Sequence, residues 1–237
     1  MKPLYPERNG VRNCLLGRLP AEDFRRLRPR LERVDLKPRS PLYEPRVPFR
    51  HVYFPEMGVG SIVTVLADGT ETEVATVGQE GMLGLPAFLG AALAPHKAFW
   101  QVPGTAWRLP VEALREEKQR GGALSETLSL YAQAFFSQLA QSATCNRRHQ
   151  VQQRCVWWLL NAHDRVDGDA FDLKHEFLAQ RLGVRRAGVT VAAGALRRAG
   201  LIRYARGRVE ILDREGLEAT CCECYWLVRE EFERLLS

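Results

Sequence analysis

The sequence predicts an α+β protein with three parts in order: an N-terminal antiparallel β domain, one long helix, and a C-terminal helix-turn-helix with a wing. Three observations indicate this fold class. Between Val34 and Pro110, short apolar runs are separated by Pro and Gly. From Ala123 to His149, apolar residues recur at helical spacing, and after Leu173 two amphipathic segments flank a glycine. The 237 residues suffice for two domains with separate cores.

Composition narrows the class of protein. Hydrophobic residues make up 46% of the chain and charged residues 26%, which is the balance of a globular protein. The first ten residues lack the apolar run of a signal peptide, and no stretch approaches the roughly 18 apolar residues of a membrane span. We therefore expect a cytoplasmic protein that does not act in a membrane. In that compartment, the six cysteines are expected to be reduced.

The β domain is predicted from four short runs with strand character, at 52–54, 61–66, 73–77 and 98–102. Asp68-Gly69 lies between two of them, and this pair favours a tight hairpin because both central residues must tolerate positive φ. A short helix is predicted before the strands, at 21–31, with Phe24, Leu27 and Leu31 on one face.

The long helix predicted at about 123–149 would be about 37 Å in length. Such a helix fits packing on its own domain and on a second copy of the chain, although core packing within one chain explains the same stripe. Its predicted dimer-helix residues are Leu128, Tyr131, Phe135, Leu139 and Ser142. A polar run follows, so we place a boundary near Gln150 and assign 1–120 to the β domain, 121–150 to the dimerisation helix and hinge, and 151–237 to the C-terminal domain.

Two helices joined by a tight turn are predicted after Leu173. Gly183 suits the positive-φ residue that ends the first helix, and the second is expected at about 185–198. In a helix-turn-helix the second helix enters the major groove of DNA, where arginine can bind guanine through two hydrogen bonds. Nine basic residues and one acid lie between Lys174 and Arg208, a charge excess suited to a polyanion. A solvated charged face is the alternative explanation.

Two short strands are predicted on either side of residues 205–208, which would make a basic wing over backbone phosphates. A structural three-helix subdomain is the alternative to a DNA-binding role. The complete predicted DNA-binding set is Lys174, His175, Arg185, Arg186, Ala187, Thr190, Val191, Arg197, Arg206 and Arg208.

The order of these parts resembles the Crp/Fnr family of bacterial transcription regulators over nearly the whole chain. Residues 176–190 (EFLAQRLGVRRAGVT) look like the family's DNA-binding motif, and 52–55 (VYFP) with 78–84 (GQEGMLG) look like its sensory domain. The resemblance implies a β-roll of the double-stranded β-helix or jelly-roll type. It also implies a homodimer that binds a palindromic operator and contacts RNA polymerase.

The sequence departs from the cyclic-AMP-binding members of that family. Where they carry a Gly-Glu pair and later an Arg-Ser pair, this chain has Gly84-Leu85 and His96-Lys97. Leucine cannot accept a hydrogen bond from a ribose hydroxyl, and lysine lacks the two-pronged geometry of arginine. The four residues are the candidates for an effector pocket, but a cyclic nucleotide is disfavoured and no cofactor is assigned. Ala187 also replaces an acid that many members use to read bases, so the usual operator is not expected.

The cysteines leave several alternatives open. Oxygen-sensing members hold an iron–sulfur cluster on grouped N-terminal cysteines, whereas this chain has only Cys14 there. Cys221 and Cys224 would share a face of a helix predicted at about 214–236, where they could bind a metal, act as a redox pair or be small buried hydrophobes. The last interpretation is preferred, so no metal is assigned. The five histidines show no ligand-type spacing.

An enzyme is not expected, because no nucleophile and base occur at a recognisable spacing. The main prediction is a sequence-specific DNA-binding regulator. The alternative is a nucleotide- or redox-responsive sensory module that acts through a protein partner. The two differ in whether DNA binding weakens steeply as salt rises.

Overall fold

The computed structural model describes residues 7–236. The first six residues, part of the segment searched for a signal peptide, lie outside this range, as does Ser237. The described chain begins with two short helices, α1 (Cys14–Gly17) and α2 (Ala21–Leu27), and a 3₁₀ turn (Arg28–Arg30). The helix predicted at 21–31 is therefore confirmed, with a tighter last turn that starts just before Pro29.

Two antiparallel sheets form the sensory domain. The first has the order β1-β7-β3 and the second the order β2-β6-β4-β5. Their bounds are β1 (Glu32–Leu36), β2 (Pro41–Tyr43), β3 (His51–Pro55), β4 (Val59–Val65), β5 (Glu71–Val77), β6 (Lys97–Val102) and β7 (Gly104–Pro110), with helix α3 (Leu85–Leu89) between β5 and β6. The four predicted strand runs correspond to β3, β4, β5 and β6. In the β4–β5 hairpin only Gly69 has positive φ, at 82°, so the expectation that both residues of the Asp68-Gly69 pair adopt it is wrong. The Leu66 amide donates to the Thr70 carbonyl at 2.9 Å, which closes the turn around residues 67–69.

The core of this domain follows the two-residue period of its strands. In β6 the side chains of Ala98, Trp100 and Val102 are buried while their neighbours are partly exposed. Val52 and Phe54 of β3 are fully buried. Removing such side chains from water is the main stabilising contribution, about 1.5–3 kcal/mol for each large apolar residue.

Helix α4 (Val111–Arg120) leads into α5 (Ala123–Arg148), the long helix. Residues predicted for a dimer contact on α5 also pack within a single chain. Leu128 and Tyr131 are 0% and 1% exposed within a single chain, and the Tyr131 hydroxyl donates to the Met82 carbonyl at 3.1 Å. Phe135 and Leu139 line a cavity of the same domain. These side chains therefore take part in packing within one chain. An apolar stripe at helical spacing is compatible with a core as well as with a dimer contact.

Another face of α5 is exposed along its whole length. Its residues alternate in steps of three and four, the spacing of a coiled-coil seam. They are Glu126, Ser129, Gln133, Phe136, Ala140, Ala143 and Arg147, which we call the α5 seam. Phe136 has 72% of its surface exposed, and the alanines beyond it leave room for close approach.

The C-terminal part is an α/β unit of a different kind. Its elements are α6 (Val151–His163), β8 (Ala170–Asp172), α7 (His175–Leu182), α8 (Arg186–Arg198), β9 (Ile202–Ala205), β10 (Arg208–Ile211), α9 (Arg214–Thr220) and α10 (Cys224–Leu236). A reciprocal pair of hydrogen bonds between Gln150 and Gln153 marks the start of α6, at the predicted boundary. The strands form a small sheet in the order β8-β10-β9, and β8 was not predicted.

The prediction of a single helix at 214–236 is wrong, because the helix is interrupted between Thr220 and Cys224. After the break, α10 runs antiparallel to α5: its first residue, Cys224, accepts from Gln141, and Phe232 lies 6.3 Å from Tyr131 between ring centroids. The end of α10 thus joins the core of the sensory domain. No helix within residues 7–236 is both long and apolar enough to cross a membrane.

Candidate DNA-binding surface and sensory cavity

The turn between α7 and α8 is built around Gly183, which ends α7 at a φ of 60°. The Val184 amide donates to the Ala179 carbonyl at 3.1 Å, so the last turn of α7 is satisfied before the chain changes direction. Helix α8 then buries one face against α6 and α7. Its buried residues are Val189, Ala192, Ala193 and Leu196. The positions of both helices therefore agree with the prediction.

The opposite face of α8 is open to solvent. The exposed residues there include six of the predicted set, namely Arg185, Arg186, Ala187, Thr190, Val191 and Arg197. Val191 keeps 71% of its surface exposed, which is unusual for a large apolar side chain on a packed helix. Arg186 faces Glu176 at 3.9 Å, but both side chains are mostly exposed, so this pair contributes little. The face combines cationic and methyl-bearing groups, as base edges in the major groove require.

His175 links the start of α7 to α8 and to the wing. Its ring stacks on Tyr204 of β9, with centroids 4.3 Å apart, and its Nδ1 lies 3.2 Å from Thr190 Oγ1. Burial, and then the nearby charge of Arg186, lowers the pKa of His175 below its usual 6.5. The ring is therefore neutral at pH 7 and can hold the Thr190 hydroxyl in place. Tyr204 was missed in the sequence analysis, because nothing in the residue pattern of a wing marks a stacking partner.

The wing is the hairpin of β9 and β10. Arg206 and Gly207 form its two-residue turn, with φ values of 51° and 79°. Positive φ at both positions is the geometry of a type I′ turn, which matches the twist of the strands. Arg206 and Arg208 are exposed, and Lys174 lies against Gly207. The turn thus presents cations beside the exposed face of α8.

A cavity of about 330 Å³ lies between the second sheet, α3 and α5. Gly84, Leu85 and His96 line it, as predicted for an effector pocket. The lining is otherwise made largely of apolar side chains, including Phe49, Ile62, Val74, Met82, Phe135, Phe136 and Leu139. Neither arginine nor a carboxylate lines it among the described residues. The cavity therefore lacks the groups that would neutralise a cyclic phosphate or accept from a ribose.

Lys97 is separate from the other three effector candidates. Its Nζ lies 2.7 Å from the Glu71 carboxylate, and that pair raises the pKa of Lys97. Both residues line a different depression, with Arg39 and Phe177. Alternate residues of a strand point to opposite faces, so Ala98 rather than Lys97 faces the cavity.

Buried ion pairs join the C-terminal part to the sensory domain. Arg181 Nε of α7 lies 2.8 Å from Glu73 Oε1 of β5, and both side chains are at least 90% buried. Arg165, after α6, lies 2.6 Å from Glu80 and donates to Thr76 at 2.7 Å. Sequence analysis missed these residues, because charges distant in the chain carry no signal of pairing.

The C-terminal cysteines do not lie as predicted. Cys221 ends α9 and is half-buried, so it does not share a helical face with Cys224. Instead, Cys222 and Cys224 meet Cys145 and His149 at the end of α5, with all four ligand-type atoms within 4.8 Å of one another. Hydrogen bonds from the thiols of Cys145 and Cys221 lower the pKa of Cys222. Cys145 and His149 are one helical turn apart, a spacing that the sequence analysis did not weigh because it compared the histidines only with one another.

Two protein-family profiles match this chain. The cyclic nucleotide-binding domain matches residues 33–120, and the Crp-like helix-turn-helix domain matches residues 153–220. Together they cover most of the sequence and coincide with the two parts described above. No curated protein sequence matches.

Solved structures show the same fold. FixK2 from Bradyrhizobium japonicum is 15% identical and superposes with a TM-score of 0.65, over 81% of this chain and 98% of that one. A CRP-family transcriptional regulator from Thermus thermophilus is 22% identical with a TM-score of 0.61, over 80% and 95% of the two chains. The c-di-GMP-responsive global regulator CLP from Xanthomonas campestris is 18% identical with a TM-score of 0.57, over 81% and 99%.

The two domains define a transcription regulator with a sensory β domain and a helix-turn-helix, a class distinct from enzymes. The chain belongs to the Crp/Fnr family. The α+β fold predicted from the sequence is thereby confirmed.

Proposed function

We propose that this protein binds a two-fold symmetric DNA site as a homodimer, with α8 of each copy in a major groove. The observation that carries the proposal is the exposed face of α8, where Arg185, Arg186 and Thr190 stand beside the cationic wing turn. Arginine at the start of the helix would bind guanine, while Arg206 and Arg208 would contact phosphates. RNA polymerase is the second partner in this proposal.

The α5 seam is the surface we propose for the dimer. It is exposed over six turns, has coiled-coil spacing, and carries the large apolar side chain of Phe136 at its centre. A second copy packed there would bury Phe136 in both chains. Because Phe136 also lines the sensory cavity, the partner would help to close that cavity. In this proposal the effector site and the dimer contact would adjoin each other.

The effector we propose is a small apolar molecule rather than cyclic AMP. The largely apolar lining of the cavity supports this choice, since a bound phosphate diester would face Leu85 and His96 without a fixed cation. A volume of about 330 Å³ is at the lower end of ordinary ligand pockets.

Selection from a pool of random DNA duplexes tests the proposal. The purified protein is incubated with the pool, and bound duplexes are sequenced, without nucleotide and with cyclic AMP, cyclic GMP or cyclic di-GMP. We expect a two-fold symmetric site in every arm. Enrichment only with one nucleotide would overturn the proposed effector class, and no enrichment in any arm would overturn the proposed DNA-binding role.

Salt dependence separates DNA binding from action through a protein partner. Each phosphate contact contributes a slope of about −0.9 to log K against log salt concentration. With several wing and helix contacts per copy, affinity for the selected site should fall steeply between low and physiological salt. A flat dependence would favour the alternative of a sensory module that acts through another protein.

A further inference from the structure

Three cysteines and one histidine, residue types that commonly bind metals, converge where the long helix ends. Cys145 and His149 lie one turn apart on the last turn of α5 and its cap. Cys222 lies in the short segment between α9 and α10, and Cys224 is the first residue of α10. The three sulfur atoms and a ring nitrogen all lie within 4.8 Å of one another. The two halves of the cluster are more than seventy residues apart in sequence, so the fold and not local spacing assembles it.

The distances suit one tetrahedral ion. With Zn–S near 2.3 Å and Zn–N near 2.0 Å, tetrahedral angles place two sulfurs roughly 3.8 Å apart and a sulfur and a nitrogen roughly 3.5 Å apart. In this structure Cys145 Sγ is 3.7 Å from Cys222 Sγ, and Cys224 Sγ is 3.4 Å from His149 Nδ1. The Cys145–Cys222 separation is too long for a disulfide bond, which requires about 2.05 Å.

The surrounding polar groups are those expected around metal ligands. His149 Nε2 lies 3.2 Å from the Glu223 carboxylate, which leaves Nδ1 facing the sulfurs. A ligating histidine commonly gives its other ring N–H to a carboxylate in this way. The Gln141 amide donates to Cys224 Sγ at 3.0 Å, an arrangement that stabilises negative charge on sulfur. Buried cysteines that act only as small apolar residues do not need such donors.

We propose that Cys145, His149, Cys222 and Cys224 bind one zinc ion. Thiolates and imidazole select zinc over the hard cations magnesium and calcium, which prefer oxygen. Four protein ligands complete a tetrahedral shell with no position for water, as in structural zinc sites. Binding releases three thiol protons to solvent and leaves one net negative charge, with Arg154 in the adjoining cleft beside Cys145.

The ion would add a bond between two segments, the end of α5 and the start of α10, that already pack on each other. Cys145 and His149 lie at the end of α5, immediately before the domain boundary, whereas Cys222 precedes α10 and Cys224 begins it. Zinc would therefore clamp the start of α10 to the end of α5. Chelation should loosen this contact without removing the core of either domain.

Metal analysis of the full-length protein tests the site. The protein is purified under reducing conditions, dialysed with zinc chloride and freed of weakly bound metal. Its zinc content is then measured by inductively coupled plasma mass spectrometry. We expect one zinc per chain in the wild type, and less than a tenth of that in Cys222→Ser and in Cys224→Ser. Cys221→Ser is the matched control, because Cys221 is the neighbouring thiol outside the cluster, and it should retain full zinc.

X-ray absorption spectroscopy on the wild-type protein identifies the atoms that coordinate the ion, so the proposal can be tested even where a variant fails to fold. Three sulfur neighbours at about 2.3 Å and one nitrogen at about 2.0 Å are expected. The proposal is overturned by wild-type protein that takes up no stoichiometric zinc, by full zinc retention in Cys222→Ser, or by a first shell of oxygen. Iron or copper at full occupancy in place of zinc would overturn the assignment of the ion.

Discussion

The guanidinium of Arg181 meets the carboxylate of Glu73 at 2.8 Å in a contact that buries both charges between the helix-turn-helix and the sensory sheet. The Glu73 pKa is raised because burial outweighs the attraction of Arg181. Arg181 also lies over the ring of Trp157, 5.1 Å from its centroid. This pair holds α7 on β5, and thereby sets where α8 lies relative to the cavity.

Removing one partner of this pair should be costly. Either Glu73→Leu or Arg181→Leu leaves an uncompensated buried charge, at a cost of about 3–5 kcal/mol in the free energy of unfolding. The double variant Glu73→Leu/Arg181→Leu should regain most of that loss, because it removes both charges. Urea unfolding of all four proteins measures the effect. A double variant no more stable than either single variant would contradict the predicted coupling.

Phe136→Lys should separate the proposed dimer. The substitution places a charge at the centre of the α5 seam in both copies, so the two lysines would face each other in a contact built to exclude water. We expect a monomer in analytical ultracentrifugation and at least about a tenfold loss of affinity for a two-fold DNA site. Leu66→Lys, at an exposed turn of the sensory domain, is the matched control and should sediment as the wild type does. Identical sedimentation of both variants would refute the seam.

Arg186→Ala and Arg206→Asn should weaken DNA binding in different ways. Loss of Arg186 should cost about 1–3 kcal/mol on the preferred site and relax one guanine per half-site. Asparagine at position 206 removes the charge but tolerates the positive φ of the wing turn, so binding to all duplexes should weaken alike. Competition titrations on specific and random duplexes compare the two. Equal loss on both duplexes for Arg186→Ala would show that α8 does not read bases.

Acid should destabilise the C-terminal domain through His175. Its pKa is lowered in the folded state, so the folded state binds fewer protons than the unfolded chain, and this stability is present above pH 6.5 and lost as the pH falls. His175→Phe keeps a ring against Tyr204 but cannot titrate. Its urea midpoint should therefore fall less than that of the wild type between about pH 7.5 and about pH 5.5.

His51 also has a lowered pKa, mainly through burial, so some acid sensitivity should persist in the His175→Phe variant. His51→Phe is the matched control for it. If the slope of stability against pH were the same in wild type and His175→Phe, the His175 contribution would be disproved.

Periodicity predicted the elements well where local rules dominate. The turn glycine Gly183, the apolar face of α8 and the paired strands of the wing all follow from short-range preferences of the chain. The break before Cys224 could not be predicted in this way, because neither Gly nor Pro interrupts the helical pattern there. Contacts between α10 and α5 decide where that helix begins.

The candidate sites divide along the same line. The exposed face of α8 follows from which residues are apolar, so its exposed residues could be listed from sequence. The cluster at His149 and the pair Arg181–Glu73 each join segments more than seventy residues apart in the chain. The residue pattern alone does not show which distant segments come into contact. Leu128 and Tyr131, predicted for a dimer contact, are buried within one chain, because apolar spacing does not distinguish a core from a dimer contact.

The return of α10 to α5 constrains how the C-terminal domain can move. The domain enters from the end of α5 at Gln150, and it leaves through α10, which is anchored beside that same end. The buried pairs Arg181–Glu73 and Arg165–Glu80 together supply a third support. Three attachment points fix the orientation of the C-terminal domain, whereas two would allow it to rotate about the line that joins them. Release of both ion pairs would leave the C-terminal domain held only near the end of α5, so that a small rotation there would displace α8 by a larger distance.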